Sequence, residues 1–484
     1  MSRGLFAKKS ISALVAEATD SKHALKRTLG PLNLTTMGVG AIIGAGFFVL
    51  TGQAAAVNAG PAVLLSFAIA ALICFFSALC YAEFASLIPI AGSAYSYAYA
   101  TMGEFAAWSI GWGLTLEYLF SAATVSVGWS AYFVSLLRDI GIRIPEQFCN
   151  APLAYDDVLG WVASGNILNV PAMLITAVIG YMISVGIQTA AIVNNLLVII
   201  KMGVILLFIA CGVAYINWDH LHPFIPENTG VFGHFGWSGI LRGAGIVFFA
   251  FIGFDAVSTL AQESRNPQKD MPIGMLGSLG ISTFTYIIVA VVLLGVVGYS
   301  QLNVPDPMAV AVNALGPNFV WLRYIIKIAI IIGLCSVILV MMLGQTRIFY
   351  TMAQDGLLPK VFGKTHPKFK TPMFTSILIT MVAIVITGLF PVGILGQVTN
   401  MGALLAFMIV CLGIWVLRRK QPHLHRPFKT PWVPFIPIIG ALSCLVLMLA
   451  LAWVTWVQLI LWMAIGYMVY FLYGVKHSLV RNPK

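Results

Sequence analysis

Lys201 stands near the middle of an apolar run, residues 192–216, about ten residues from either end. At 1.5 Å per helical residue that is roughly 15 Å from the nearest end, too far for a lysine stem to snorkel. Its ammonium must be neutralised, paired or hydrated internally. A buried amine of this kind can gain and lose a proton, which makes it a candidate coupling group; a tether between helices is the plainer alternative. Glu117 follows Trp112 and Leu116 inside a second apolar run and could face a site, balance a cationic ligand or pair with another helix. Asp255 closes the run Phe248-Phe249-Ala250-Phe251-Ile252-Gly253-Phe254. Asp is a preferred helix N-cap, so a cap on a helix resuming there stands beside a role as proton relay.

Glycine supplies the second kind of chemistry. Gly38, Gly40, Gly44 and Gly46 fall within nine residues, and each costs a helix about 1 kcal/mol relative to alanine. For Gly38 and Gly40 close helix contacts are the expected use. The stretch Gly44-Ala45-Gly46 is expected to be unwound, and the run around Gly253 is read as interrupted likewise. Unwound backbone at the midplane of a membrane is tolerated only where it lines a cavity. Its free N–H groups and half-helix N-termini suit a carboxylate, and its free carbonyls suit an ammonium. A zwitterionic amino acid satisfies both.

The elements that must position these groups follow from composition. Of 484 residues, 60% are hydrophobic and only 9% charged, against about 25% charged in a soluble globular chain. A soluble enzyme and a disordered chain are excluded. Twelve runs of about 20 apolar residues suit membrane helices: 33–56, 62–88, 105–136, 169–187, 192–216, 239–262, 273–298, 321–344, 373–390, 395–417, 433–452 and 455–474. Residues 11–27 have amphipathic spacing at best, and no cleavable signal peptide is expected. Twenty-one of the 27 lysines and arginines fall in the tails and alternate loops, which places both termini in the cytoplasm. The net charge of +11 therefore implies anionic lipid, not nucleic acid. Six of the seven cysteines lie in apolar stretches, so no disulfide framework is expected. Interrupted helices opening each of two five-helix sets point to a transporter's substrate site between inverted repeats. No phosphate loop, intramembrane metal cluster or filter-like polar ring is present in the sequence.

Several motifs carry a family resemblance. Gly40-Ala41-Ile42-Ile43-Gly44-Ala45-Gly46-Phe47-Phe48-Val49 resembles the first-helix signature of amino acid–polyamine–organocation transporters, and Phe248 to Asp255 resembles their sixth helix. Glu263 to Pro272, Gln345-Thr346-Arg347, Met352 to Pro359 and Arg426 to Pro434 resemble later segments. The resemblance covers roughly residues 30–475 and is nearest to the cationic amino acid transporter branch in its bacterial form. It implies an all-α polytopic membrane protein with an inverted five-plus-five helix core of the LeuT kind and discontinuous helices one and six. The corresponding units are a tail 1–30, a first repeat 31–216, a second repeat 239–418, two further helices 433–474 and a tail 475–484.

Residue by residue, the resemblance implies that the substrate carboxylate meets N–H groups at Ala45 and Gly46. The ammonium meets carbonyls at Ile42, Phe249, Ala250 and Ile252. Leu334 becomes a wall residue, Phe251 and Phe254 lid or packing residues. In proton-coupled relatives a helix-five lysine takes the place of a sodium ion, the position of Lys201, with Ser336 as its hydroxyl partner. Ala45 and Phe47 depart from the family's usual residues there.

The expected function is proton-coupled symport of L-amino acids by alternating access in the cell membrane. Rival readings are a sodium-coupled symporter, an exchanger and, more remotely, a receptor that binds amino acids without moving them. No metal or organic cofactor is expected, and the proton is the coupling ion. The expected partners are the amino acid, membrane lipid and an optional small single-span membrane subunit. Lys327, one turn into the eighth run, is expected to snorkel outward, and Glu83 to lie at an interface or gate.

Overall fold

In the computed structural model, described for residues 4–10, 29–90, 92–156, 160–186, 190–369 and 371–481, the chain is a bundle of helices. Residues 11–27, where amphipathic spacing was noted, lie outside the described set. The helices are α1 Pro31–Ile42, α2 Val63–Leu87, α3 Ser93–Thr101, α4 Glu104–Asp139, α5 Val170–Val185, α6 Ala190–Gly212 and α7 Gly236–Val247. They continue with α8 Pro267–Val296, α9 Pro307–Ala314, α10 Val320–Gln354, α11 Met373–Leu389, α12 Val392–Lys420, α13 Phe435–Ala450 and α14 Trp453–Val469. Among the described residues, eight helical stretches are long and apolar enough to cross a membrane, and three shorter apolar helices accompany them. Every apolar run read from the sequence falls on a helix. A polytopic membrane protein is the fold class these features support.

Proline and glycine punctuate the helices as their chemistry requires. Pro31, Pro171, Pro267 and Pro307 each stand in the first turn of a helix, where the missing N–H is no loss. Asn169 caps α5 by accepting from the Ala172 N–H at 3.2 Å. One element has no counterpart in the hydropathy pattern. A two-stranded antiparallel hairpin, β1 Leu153–Asp156 and β2 Gly160–Ala163, pairs Leu153 with Ala163 between α4 and α5.

Two helices are interrupted. After α1, Ile43 leaves helical geometry (φ −74°, ψ 97°), and winding resumes over 46–59 partly as wide π-helical turns. After α7, a tight turn of 3-10 helix over Phe248–Phe251 ends at Ile252 (φ −61°, ψ 133°), and Asp255–Glu263 resumes as 3-10 helix. The interruptions touch. A Cβ on Gly46 would lie 2.6 Å from the Ala250 Cα, and one on Gly253 (φ +121°) 2.9 Å from the Ala41 carbonyl. Glycine is required at both points, by space at the first and by space and φ at the second.

Polar ties hold the two ends of the bundle. At the end carrying the chain termini, Ala7 accepts from the Glu104 N–H at 2.9 Å, Lys9 pairs with Asp355 at 2.8 Å, and Leu479 donates to the Asp355 carbonyl at 3.1 Å. Glu83 is buried there, gripped by Arg418 through two 2.9 Å bonds, by Arg426 at 3.1 Å and by the Thr430 N–H at 2.8 Å. That makes it an anchor for the loop before α13. At the other end Lys327 is only 2% exposed. It donates to Asp139 and Ser135 at 2.6 Å each, with Asp306 at 3.8 Å. The expected snorkelling is thus overturned: carboxylates on α4 and before α9 draw the amine inward.

Candidate functional site

A small cavity, with room for about one water, lies where the two interruptions meet. Ala41, Ile42, Gly44, Ala45 and Gly46 line it from the first, and Phe249 and Ile252 from the second. Ser121 and Val125 of α4 and Val337 and Met341 of α10 complete it. The first residues of a resumed helix have no upstream carbonyl to bond, so their amides favour an anionic group. The lining side chains are apolar apart from the Ser121 hydroxyl. The polarity of the lining thus comes from backbone groups and one hydroxyl among the described residues.

Lys201 reaches the break from behind. Its Nζ donates to the carbonyls of Gly40 and Ile43 at 3.1 Å each and to Ser336 Oγ at 3.3 Å. Those carbonyls belong to the C-terminal end of α1, where the helix dipole is negative and carbonyls lack intrahelical donors. The ammonium thus caps a half-helix. Lys201 is 3% exposed.

Tyr286 of α8 was not singled out from the sequence. Its hydroxyl lies 3.0 Å from the Ile42 carbonyl and 2.8 Å from the Ala250 carbonyl, so one proton is shared between the two interruptions. Its ring stacks on Phe47 with centroids 4.3 Å apart. Asn400 of α12, also missed, donates to the Gly245 carbonyl at 2.7 Å and to Ile246 at 3.3 Å near the end of α7. Tyr132 donates to the Phe48 carbonyl at 2.8 Å. All three are polar groups inside apolar runs, and that was the available signal.

The other residues named from the sequence are distributed as follows. Ile43 lies at the Lys201 contact and Ala250 at the Tyr286 contact, each outside the cavity lining. Phe251 packs edge-on against Phe67 and Tyr286, and Phe254 against Tyr81 and Phe407. Leu334 is fully buried but does not line the cavity. Glu117 is fully buried, with its carboxyl beside that of Asp255. Asp255 accepts from the Tyr118 hydroxyl at 2.9 Å and from the Gly253 N–H at 3.2 Å. Asp255 therefore does not cap the resumed helix: it is that helix's first residue and bonds backward to the break.

A profile of the amino acid permease family matches residues 29–475. The branched-chain amino acid permease BcaP of Bacillus subtilis (strain 168) is 44% identical over 479 residues, covering 99% of each chain. The methylthioribose transporter of the same organism is 43% identical over 478 residues, again 99% of each. The vacuolar cationic amino acid transporter 4 of Arabidopsis thaliana is 33% identical over 426 residues, 86% of this chain and 68% of that one. These relatives are transporters and permeases, not enzymes.

Proposed function

The chain belongs to the amino acid permease family, and from that membership we propose that it carries an apolar L-amino acid across the cell membrane by proton-coupled symport. Twelve spans in an inverted five-plus-five arrangement, with both termini cytoplasmic, are part of this reading. The observation that carries it is the Lys201 amine seated on the Gly40 and Ile43 carbonyls, at the break that also lines a small cavity.

The mechanism follows from bond strengths. Hydrogen bonds from a charged donor contribute ~1.5–3 kcal/mol each, against ~0.5–1.5 for a neutral one. Losing the proton from Lys201 weakens its hold on α1 by roughly 1 kcal/mol per bond, or a few kcal/mol in all. That is the size of the gap between alternating conformers, typically a few kcal/mol. Protonation therefore biases α1 toward its present position, and deprotonation frees it to rock with the second interrupted helix. Substrate adds to the bias by bridging Ala45 and Gly46 to the Phe249 and Ile252 side of the cavity.

The wall chemistry sets the substrate class. Among the described residues no carboxylate lines the cavity, so a cationic side chain finds no partner in them. Val125, Val337, Met341 and Ile252 instead suit a small or branched apolar side chain. A methylthio sugar is the second reading, prompted by the methylthioribose transporter's similarity. A ribose needs several side-chain hydrogen bonds, and among the described lining residues only Ser121 has a hydroxyl. Sodium coupling is disfavoured because an ammonium already occupies the carbonyls a cation would use.

Reconstitution in sodium-free liposomes tests the proposal. Labelled L-leucine and L-alanine should accumulate under an inward proton gradient and fail to accumulate in Lys201→Ala. Uptake that requires sodium, or that ignores the proton gradient, would sink it.

A further inference from the structure

α10 carries a glycine, Gly333, in mid-helix, one turn before Ser336. Glycine is a poorer helix former than alanine, and nothing in the local backbone of α10 calls for it. The reason lies outside the helix. The three atoms nearest to a Cβ built on Gly333 all belong to Lys201: Cγ at 3.0 Å, Cδ at 3.2 Å and, closer still, Cε. The lysine stem crosses α10 in the groove that the missing side chain leaves. The Gly333 carbonyl also accepts the Ser336 hydroxyl at 2.8 Å, which turns Ser336 Oγ toward Lys201 Nζ.

A small cavity touches Lys201 and is lined by Phe48, Val204, Met308, Ala329 and Ile330 among others. Its walls are apolar apart from Lys201 itself. The titratable group acting on Lys201 is the Cys335 thiol of α10; α1 presents only backbone carbonyls.

We propose that Gly333 is a positioning residue for proton coupling: its bare Cα forms the groove that seats the Lys201 stem, so that the amine reaches the Gly40 and Ile43 carbonyls. This rests on the proposed role of Lys201, and the test separates the two.

Gly333→Ala is compared with the parent in the Lys201 background and again in the Lys201→Ala background. Two quantities are read: the ratio of leucine uptake with and without an inward proton gradient, and the melting temperature in detergent. The expected result is a proton-driven ratio reduced about tenfold by Gly333→Ala. In the Lys201→Ala background the added methyl meets no stem, so neither the ratio nor the melting temperature changes further. Equal effects of Gly333→Ala in both backgrounds, or none in either, overturn the proposal. If Gly333→Ala fails to fold alone but folds with Lys201→Ala, the clash with the stem is supported; failure of both overturns it. If Lys201→Ala keeps its proton-driven ratio, the coupling role fails. The seating is then judged by melting temperature alone: supported where Gly333→Ala shifts it only when Lys201 is present, and otherwise overturned.

Discussion

The Lys201 amine lies 3.1 Å from the carbonyl oxygen of Ile43, the residue at which α1 ends. A point charge is thereby fixed on the negative end of a half-helix, with a serine hydroxyl as third partner. Lys201→Ala should lower proton-driven accumulation at least ~10-fold, since each lost charged bond contributes ~1.5–3 kcal/mol. Uptake measured between pH 5 and 8 should also lose its dependence on outside pH. Retention of that dependence would move the coupling site elsewhere.

Tyr286→Phe removes the donor shared by the Ile42 and Ala250 carbonyls. Leaving buried carbonyls without it should cost roughly 1–3 kcal/mol, read as a lower melting temperature without substrate. Freed carbonyls also become available to a substrate ammonium. Saturating leucine should therefore raise the variant's melting temperature by more than it raises the parent's.

Val337 and Met341 line the cavity from α10, and in the proposed function their bulk sets the room for the substrate side chain. Val337→Ala should shift competition from leucine toward phenylalanine. A methylene-sized change in an apolar pocket is typically worth ~1–3 kcal/mol of discrimination. Unchanged inhibition constants for the two amino acids would remove Val337 from the wall.

Asp139→Ala strips the closest carboxylate from Lys327, a buried amine with Asp306 left at 3.8 Å. Breaking a buried pair from one side costs about 3–5 kcal/mol, so the melting temperature should fall clearly. Pairing Asp139→Leu with Lys327→Met should recover part of the loss, because the buried amine is gone, while Arg323 still loses Asp139 and Asp306 loses Lys327. A double variant no more stable than Asp139→Ala would contradict this account.

The helices were legible because a membrane helix is written in a run of about 20 apolar residues, a signal that survives without tertiary context. The breaks were legible because glycines and an acid interrupt such runs at Gly44 to Gly46 and at Gly253 to Asp255. Lys201 was legible by depth alone, and Ser336 through the resemblance. Tyr286 and Asn400 were not, since a tyrosine or asparagine in an apolar run reads as tolerable packing until its partner carbonyl is placed. Lys327 was misread because snorkelling depends on what lies nearby, and Asp139 is distant in sequence. Ser121 and Val125 join the cavity only through the contact of α4 with both broken helices. The β-hairpin is too short to rise above its loop.

The two interrupted helices are joined at three heights. Leu29 and Ser264 form a main-chain bridge at one end, with the Arg265 N–H donating to the Leu29 carbonyl at 2.8 Å. Gly253 lies against Ala41 in the middle, and the Tyr286 hydroxyl spans Ile42 and Ala250 above it. Mechanically this is a coupled lever with little slack. A covalent staple across it, Leu29→Cys with Ser264→Cys under oxidation, would ride along with the motion and leave turnover intact. A staple from the same lever to α4 or α10 would jam it. In the proposed mechanism the pair therefore marks where the moving part ends and the frame begins.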